Sequence, residues 1–376
     1  MNTLQLNKRA VNTSFKAMKA AMWLQSLPGR ITPAAFRLLQ IGSAFWQSRA
    51  LHAATRLDIA TVLADSSLSV EEISARIGAS PDAVCRLLRL LCAMGVFAET
   101  APRVFRNSKV SAFLRSDNPR NVRAMVLMHN SDEMSRPWYE QLEQGLLGRG
   151  VPFQLANGLD LYAYMSAHPR FDSLFSQAMD TVDTLAGSDF AKDIDWGRFE
   201  RIIDVGGSKG RKSMAILKRH AHLRSLVVDR ASIIDEARHY WRDKEDGALL
   251  ARICFQPGDV LDAIPAAVSD KDVYLLSAVL HTFDDETCIR ALRNLQKASA
   301  QAGACAVLLE MVMDESQPSL TRALVDMQMF MGTPGRERTL REWLGLFARS
   351  GLELVETVVV RPYNQALVVR AKAARA

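Results

Sequence analysis

Residues 201–213 read RIIDVGGSKGRKS: an apolar run closed by Asp204, glycines at 206, 207 and 210, then a basic stretch of helix-forming residues. A strand that runs into a glycine turn and then a helix points backbone N–H groups and the positive helix end at a ligand. Ser208 stands where a third spaced glycine is expected. A second acid, Asp229, closes the next apolar run, SLVVD, at a distance of about twenty residues from which a carboxylate accepts hydrogen bonds from ribose hydroxyls. Gly258-Asp259 closes a third run, RICFQPGD. A dinucleotide is one ligand for such a loop, but a carboxylate just ahead of the glycines would repel a pyrophosphate. It suits a cofactor with a cationic amino-acid end, and S-adenosylmethionine has one.

The elements that position these residues follow from the apolar patterning. From Phe199 onward FERIIDV, SLVVD, RICFQPGD, DVYLLS, ACAVLLEMV, LELVETVVV and YNQALVVR are short β-branched runs, most of them followed by helical stretches. That alternation predicts an α/β fold with a doubly wound, mostly parallel sheet, in which ligands lie at the carboxyl ends of the strands. Ahead of it, residues 44–99 form successive short amphipathic helices. Ser69 opens one helix, and Ser80-Pro81-Asp82 opens the next with serine as N-cap and proline at the first helical position. VFAETAPRVFRNSKVS then reads as a small hairpin, completing a winged helix. Arg86 and Arg89 on its second helix would suit DNA, yet Glu71, Glu72 and Asp82 flank them, and a leucine-rich dimerisation or lid module fits better. The stretch between, rich in Met, His and aromatics, would ordinarily be core; facing a cleft, Met128, His129, Phe175 and Met179 would make a pocket for a flat apolar substrate. The expected divisions are a basic arm (1–43), a winged-helix domain (44–117), a helical linker and substrate-pocket region (118–190) and a cofactor-binding domain (191–376).

The bulk composition narrows the class. The 376 residues carry a formal charge of +6, but eight of the 47 basic residues precede Asp58, the first acid, so the remaining 39 nearly balance 41 acids. A charge excess confined to one arm argues against nucleic acid as a partner of the whole chain. Phe15, Met18 and Met22 fall at helical spacing, so the arm reads as an extra helix packing on a neighbouring subunit in preference to a targeting segment. Five cysteines with no CxxC pair suggest neither a disulfide framework nor a metal site. No apolar run reaches the roughly 18 to 20 residues of a membrane span, so a cytoplasmic location is expected.

DVGGSKG, VVDR, GDVLDAIP, YLLSAVLHTFDDE, LLEMV and GRERT occur in this order from Asp204 to Thr339. In that order and spacing they resemble the small-molecule O-methyltransferases of the plant caffeate and bacterial phenazine or polyketide-tailoring type. The similarity covers roughly Ala44 to the C-terminus. It implies a Rossmann-like methyltransferase sheet with an N-terminal winged-helix dimerisation domain, a homodimer, and S-adenosylmethionine as cofactor. Its substrate would be a hydroxyl on a small aromatic or heteroaromatic metabolite. His281 is similar to the family's general base, a task that suits an imidazole near neutral pH. Its place at a strand end, ahead of the acidic helix start DDE, favours catalysis over structure. Glu310 and Glu337 resemble the carboxylates that orient it, although Arg336 and Arg338 could also hold Glu337 in an ordinary surface ion pair. The stretch from Asp326 to Gly335 resembles a substrate-contact helix, with Asp326 and Met329 as lining.

The resemblance places the cofactor among Asp204, Gly206, Gly207, Ser208, Gly210, Asp229, Arg230, Gly258, Asp259, Val260, Ser277 and Phe283. Four of these positions depart from the family. Ser208 replaces a glycine where positive φ or close approach is needed, at about 1–2 kcal/mol for a residue with a Cβ. Ser277 stands where lysine is frequent, Thr282-Phe283 replaces Asp-Trp, and Val260 replaces a larger apolar residue; the expectation from all four is weakened or repurposed cofactor binding. Two other readings stay open: a methyltransferase-fold enzyme with non-methylating chemistry (hydroxylation, decarboxylation or cyclisation) or with a nitrogen acceptor, and a DNA-binding regulator using the winged helix.

Overall fold

The computed structural model describes residues 3–242, 244, 245, 247–316, 319–361 and 365–373. The chain divides into two compact units, residues 20–185 and residues 1–19 with 186–376. Residues 3–19 belong to the sheet-bearing unit.

In the first unit the winged helix forms as patterned. Strand β1 (Leu68–Ser69) pairs with β3 (Val104–Asn107), which pairs with β2 (Phe97–Ala101), all antiparallel. The helix Val70–Ile77 starts in a full capping box: the Ser69 hydroxyl accepts from the Glu72 N–H, and the Glu72 carboxylate takes the Ser69 N–H. Ser80 is the N-cap of Pro81–Ala93, but its hydroxyl makes no cap bond, so the fixed φ of Pro81 supplies the start. Arg86 pairs with Asp82 at 3.0 Å and Arg89 with Glu99 at 3.3 Å. Ile59, Leu63, Ile73, Leu88, Leu91 and Phe105 fill the core of this module.

The second unit is built on β4 (Arg201–Val205), β5 (Arg224–Asp229), β6 (Ile253–Pro257), β7 (Asp272–Ser277), β8 (Cys305–Glu310), β11 (Leu352–Val359) and β12 (Gln365–Ala371). Two short strands, β9 (Val312–Met313) and β10 (Arg338–Thr339), pair in parallel outside it. The run ACAVLLEMV is therefore two strands that part at Met311, and Tyr363 and Asn364 of YNQALVVR lie outside the described residues. The sheet order is β11-β12-β8-β7-β4-β5-β6, parallel except for β12, which runs antiparallel to both neighbours. Successive side chains alternate between its faces. Ile202, Leu275 and Val307 join a core with Trp196, Met214 and Leu217, while Ile203, Tyr274 and Leu276 join one with Ile289, Leu292 and Trp343.

From β4 the chain winds outward through β5 and β6, then returns to β7 on the other side of β4. The carboxyl ends of β4 and β7 thus flank the switch point, where such sheets leave a crevice. Segment 4–6 is stitched to the unit: the Leu6 N–H donates to the Asp193 carbonyl at 2.7 Å, the Leu4 N–H to Glu356 at 2.8 Å, and Leu4 is buried. Residues 8–31 follow as a helix on which Phe15, Met18 and Met22 are half-buried. Among the described residues no helix is long and apolar enough to cross a membrane.

Loss of the capping box should be felt locally. Ser69→Ala is expected to destabilise the helix Val70–Ile77 by about 1 kcal/mol, read as faster amide exchange across that helix with the sheet amides of the second unit unchanged.

Candidate functional site

The turn after β4 packs around Asp204, which is 1% exposed. Its Oδ2 accepts from the Ser213 hydroxyl at 2.7 Å, and that oxygen accepts in turn from the Ser225 hydroxyl at 2.9 Å. Gly207 lies directly over the carboxylate: a Cβ there would come within 2.6 Å of the Asp204 carboxyl carbon. Gly206 (φ 69°) and Gly210 (φ 70°) take the left-handed backbone that reverses the chain and opens the helix Arg211–Leu217. Ser208 adopts φ 51°, so the serine pays the strain expected of it. What holds it there is its N–H, which donates to Asp229 Oδ2 at 2.8 Å. The Arg230 N–H donates to Asp229 Oδ1 at 2.7 Å, and burial pushes the Asp229 carboxyl above its ordinary range. At the end of β6, Gly258 approaches Val228 so closely that a Cβ would sit 2.6 Å from a valine methyl. Asp259 Oδ1 accepts from the Leu261 N–H at 2.8 Å, and Val260 is buried in the core.

These residues suit a nucleoside cofactor with a cationic tail. Each Asp229 oxygen keeps an acceptor position beyond its backbone bond for a hydroxyl, and the glycines leave the backbone bare where a ligand must approach. Phe283 is half-buried and packs on the core beneath, and Ser277 is half-buried at the end of β7.

The second cluster forms beyond β7. Ala278 takes φ 53°, turning the chain into the single helical turn Leu280–Thr282. There His281 Nδ1 lies 2.7 Å from Glu337 Oε1, with 15% and 2% of the two side chains exposed. An ionised carboxylate only accepts, so Nδ1 carries the hydrogen, and in the neutral ring Nε2 keeps its lone pair. Glu310, at the last residue of β8, is 1% exposed. Its Oε1 takes the Leu280 N–H at 3.3 Å, while Oε2 has no hydrogen-bond partner among the described residues. One polar atom from each of His281, Glu310 and Glu337 lies within 4.8 Å of the other two, and among the described residues no other three His, Cys, Asp or Glu side chains converge in this way. Burial pushes the imidazole pKa down, the Glu337 bond and the carboxylate charges push it up, and the net direction is up. Burial raises the Glu310 carboxyl to about 7.

The residues flanking Glu337 behave differently from a surface ion pair. Arg336 does pair at the surface, with Asp285 and Glu342. Arg338 is fully buried: it donates to the carbonyls of Leu280 at 3.2 Å and Phe283 at 2.8 Å, to Asp285 Oδ1 at 2.9 Å, and stacks over Trp343. It therefore grips the segment that carries His281 on both sides of the histidine. Gly335 completes the fit, since a Cβ there would fall 2.0 Å from the His281 carbonyl oxygen. Neither Arg338 nor Gly335 announces this in sequence, because the partners are backbone atoms more than fifty residues away.

Asp326 Oδ1 accepts the Glu337 N–H at 2.9 Å, so Asp326 braces the triad from the helix Leu320–Gly332, on which Met329 is half-buried. In the other unit Met128 is 2% exposed within a core of Met134, Phe153, Leu161 and Phe171, and Phe175 packs on that core. His129 and Met179 are exposed.

Comparison with known proteins settles the family. Residues 138–353 match the O-methyltransferase domain and residues 39–117 the O-methyltransferase dimerisation domain. The chain belongs to the O-methyltransferase family. It is 32% identical to phenazine-1-carboxylate N-methyltransferase of Pseudomonas aeruginosa over 90% of this chain and 98% of that protein. It is 30% identical to a phenazine O-methyltransferase of Lysobacter antibioticus over 84% and 90%. The crystal structure of CalO1, a methyltransferase of calicheamicin biosynthesis solved in its SAH-bound form, superposes with a TM-score of 0.75 at 26% identity, covering 90% of this chain and 98% of that one. Fold, enzyme class and dimerisation domain thus agree with the sequence resemblance.

Arg338→Met keeps much of the apolar stem but leaves the Leu280 and Phe283 carbonyls without this donor, while Asp285 keeps Arg336. Each buried acceptor left unsatisfied costs about 1–3 kcal/mol, expected as a lower denaturant midpoint for the sheet-bearing unit.

Proposed function

We propose that the protein transfers a methyl group from S-adenosylmethionine to a hydroxyl of a small aromatic or heteroaromatic metabolite, with His281 as general base. The observation that carries this reading is the 2.7 Å bond from His281 to Glu337, which leaves Nε2 as a directed proton acceptor at the switch point of the sheet. S-adenosylmethionine, when bound, supplies an electrophilic methyl carbon on a sulfonium. Asp204, through the glycine turn above it, favours the cationic amino-acid end. Asp229 takes ribose hydroxyls, with Arg230, Gly258, Asp259, Val260, Ser277 and Phe283 around the remainder.

The protein's own task is alignment and proton removal. A hydroxyl held at Nε2 loses its proton as its oxygen attacks, and the imidazolium that forms is stabilised by Glu337. Asp326 and Met329, on the helix that braces Glu337, stand on the acceptor side in this reading. A nitrogen acceptor is the second reading, favoured by the N-methyltransferase relative. It would need positioning but no base of this strength.

The protein acts as a homodimer in this reading. The helix Ala34–Gly42 has no buried residue, and its Phe36, Leu38, Leu39 and Ile41 are 62–71% exposed, an apolar surface that a second copy would cover.

Calorimetric titration with S-adenosylmethionine and S-adenosylhomocysteine is expected to show micromolar binding of both, the product at least as tight. Failure to bind either would remove the cofactor assignment. On a phenolic acceptor, His281→Ala should lower kcat on the order of 10² to 10⁴-fold while leaving S-adenosylhomocysteine affinity unchanged. Because the base must be neutral and its pKa is raised, kcat should fall as pH drops through a midpoint above the ordinary imidazole value of 6.5. A nitrogen acceptor methylated equally well by His281→Ala would favour the second reading.

A further inference from the structure

We propose that Glu310 is a neutral carboxylic acid in the working enzyme and that its proton, held beside His281, keeps the imidazole neutral and available as a base. The inference rests on the general-base reading above and adds a positioning residue whose charge state matters.

The geometry carries it. Glu310 ends β8 with 1% exposure. Its Oε1 has one long bond, 3.3 Å from the Leu280 N–H, and among the described residues Oε2 has no hydrogen-bond partner. A buried carboxylate in that state would lack the donors that normally compensate such a charge. A second carboxylate, Glu337, shares the cluster and already owns the His281 Nδ1–H. Two carboxylates this close in a buried site do not both ionise freely.

The groups facing Glu310 are His281 from the turn after β7, Glu337 and Arg338 from the segment entering β10, and Cys288 from the helix Asp285–Ala300. Arg338 is committed to Asp285 and two carbonyls, so its charge is largely matched elsewhere. One extra proton on the cluster then has two homes. On the imidazole it leaves two buried carboxylates and a base already spent. On Glu310 it leaves one carboxylate, bonded to Nδ1–H, and a free Nε2 lone pair. Desolvation, the largest influence on Glu310, acts in the direction of the second arrangement.

The test compares wild type with Glu310→Gln, a shape-matched neutral replacement. In the free protein at pH 7, infrared difference spectra should contain a protonated-carboxyl band that Glu310→Gln lacks. The ¹⁵N resonances of His281, identified by their loss in His281→Ala, should be those of a neutral ring. In steady-state methylation, Glu310→Gln should keep the midpoint of the acidic limb in place, because glutamine replaces an acid that was already uncharged. An imidazolium spectrum at pH 7 without the carboxyl band overturns the proposal. So does a Glu310→Gln limb moved to lower pH, because that shift means a negative charge was removed. The spectroscopic arms need no substrate, and the ring measurement needs only wild type and His281→Ala, so it decides whether the imidazole is neutral even if Glu310→Gln folds poorly or no methyl acceptor is found.

Discussion

The bond between His281 and Glu337 is the constraint around which the sheet-bearing unit is arranged. A histidine on a single helical turn has free rotation about two torsions, and only a partner on its Nδ1 selects a tautomer and aims Nε2. That partner comes from a segment 56 residues downstream, which must return to the same strand end. Three contacts bring it back: the parallel pairing of β10 with β9, the Asp326 bond to the Glu337 N–H, and the Arg338 clasp across Leu280 and Phe283. Gly335 belongs to the same device, because the returning chain passes so near His281 that no side chain fits.

The glycine turn solves a related problem with the opposite economy. Its acid must be sealed from water yet remain felt at the surface, so Asp204 is roofed by Gly207 and satisfied from within by Ser213. Ser208 shows how a departure from the family pattern can be absorbed. Its left-handed φ of 51° is strained for a residue with a Cβ, but its N–H is bonded to Asp229 at the end of β5. The cost of the serine is thus offset by a bond that ties the turn to the neighbouring strand.

Much of this was legible in the residue pattern, and the part that was not has a common cause. β-branched runs alternating with helical stretches give the seven strands of the main sheet and its mostly parallel order, and acids stand at or near the ends of β4, β5, β6 and β8, because both signals are local. Ser69 and Glu72 announce a capping box three residues apart. Arg338 gives no such signal: flanked by Glu337 and Arg336 it looks like a surface charge, and only the fold reveals that its partners are carbonyls of the β7–helix connection. Met128 has the reverse history. A methionine in an aromatic-rich stretch suits a pocket or a core equally, and Met134 and Phe153 enclose it. Ser213 escaped notice because its meaning is set by helical geometry: nine residues past Asp204, it is turned back beneath the acid by the helix start.

The relatives named for oxygen and nitrogen methylation share this scaffold, and the physical difference between those reactions lies in the proton. A neutral nitrogen acceptor attacks with its own lone pair and sheds a proton afterwards, whereas a hydroxyl is a poor nucleophile until its proton is leaving. The scaffold's alignment of two substrates serves both. A buried histidine with an ionic partner serves chiefly the second, and burying two acidic side chains against one imidazole carries a desolvation cost that alignment alone does not require. His281, Glu310 and Glu337 thus bring together at one strand end more titratable groups than the alignment of two substrates alone requires.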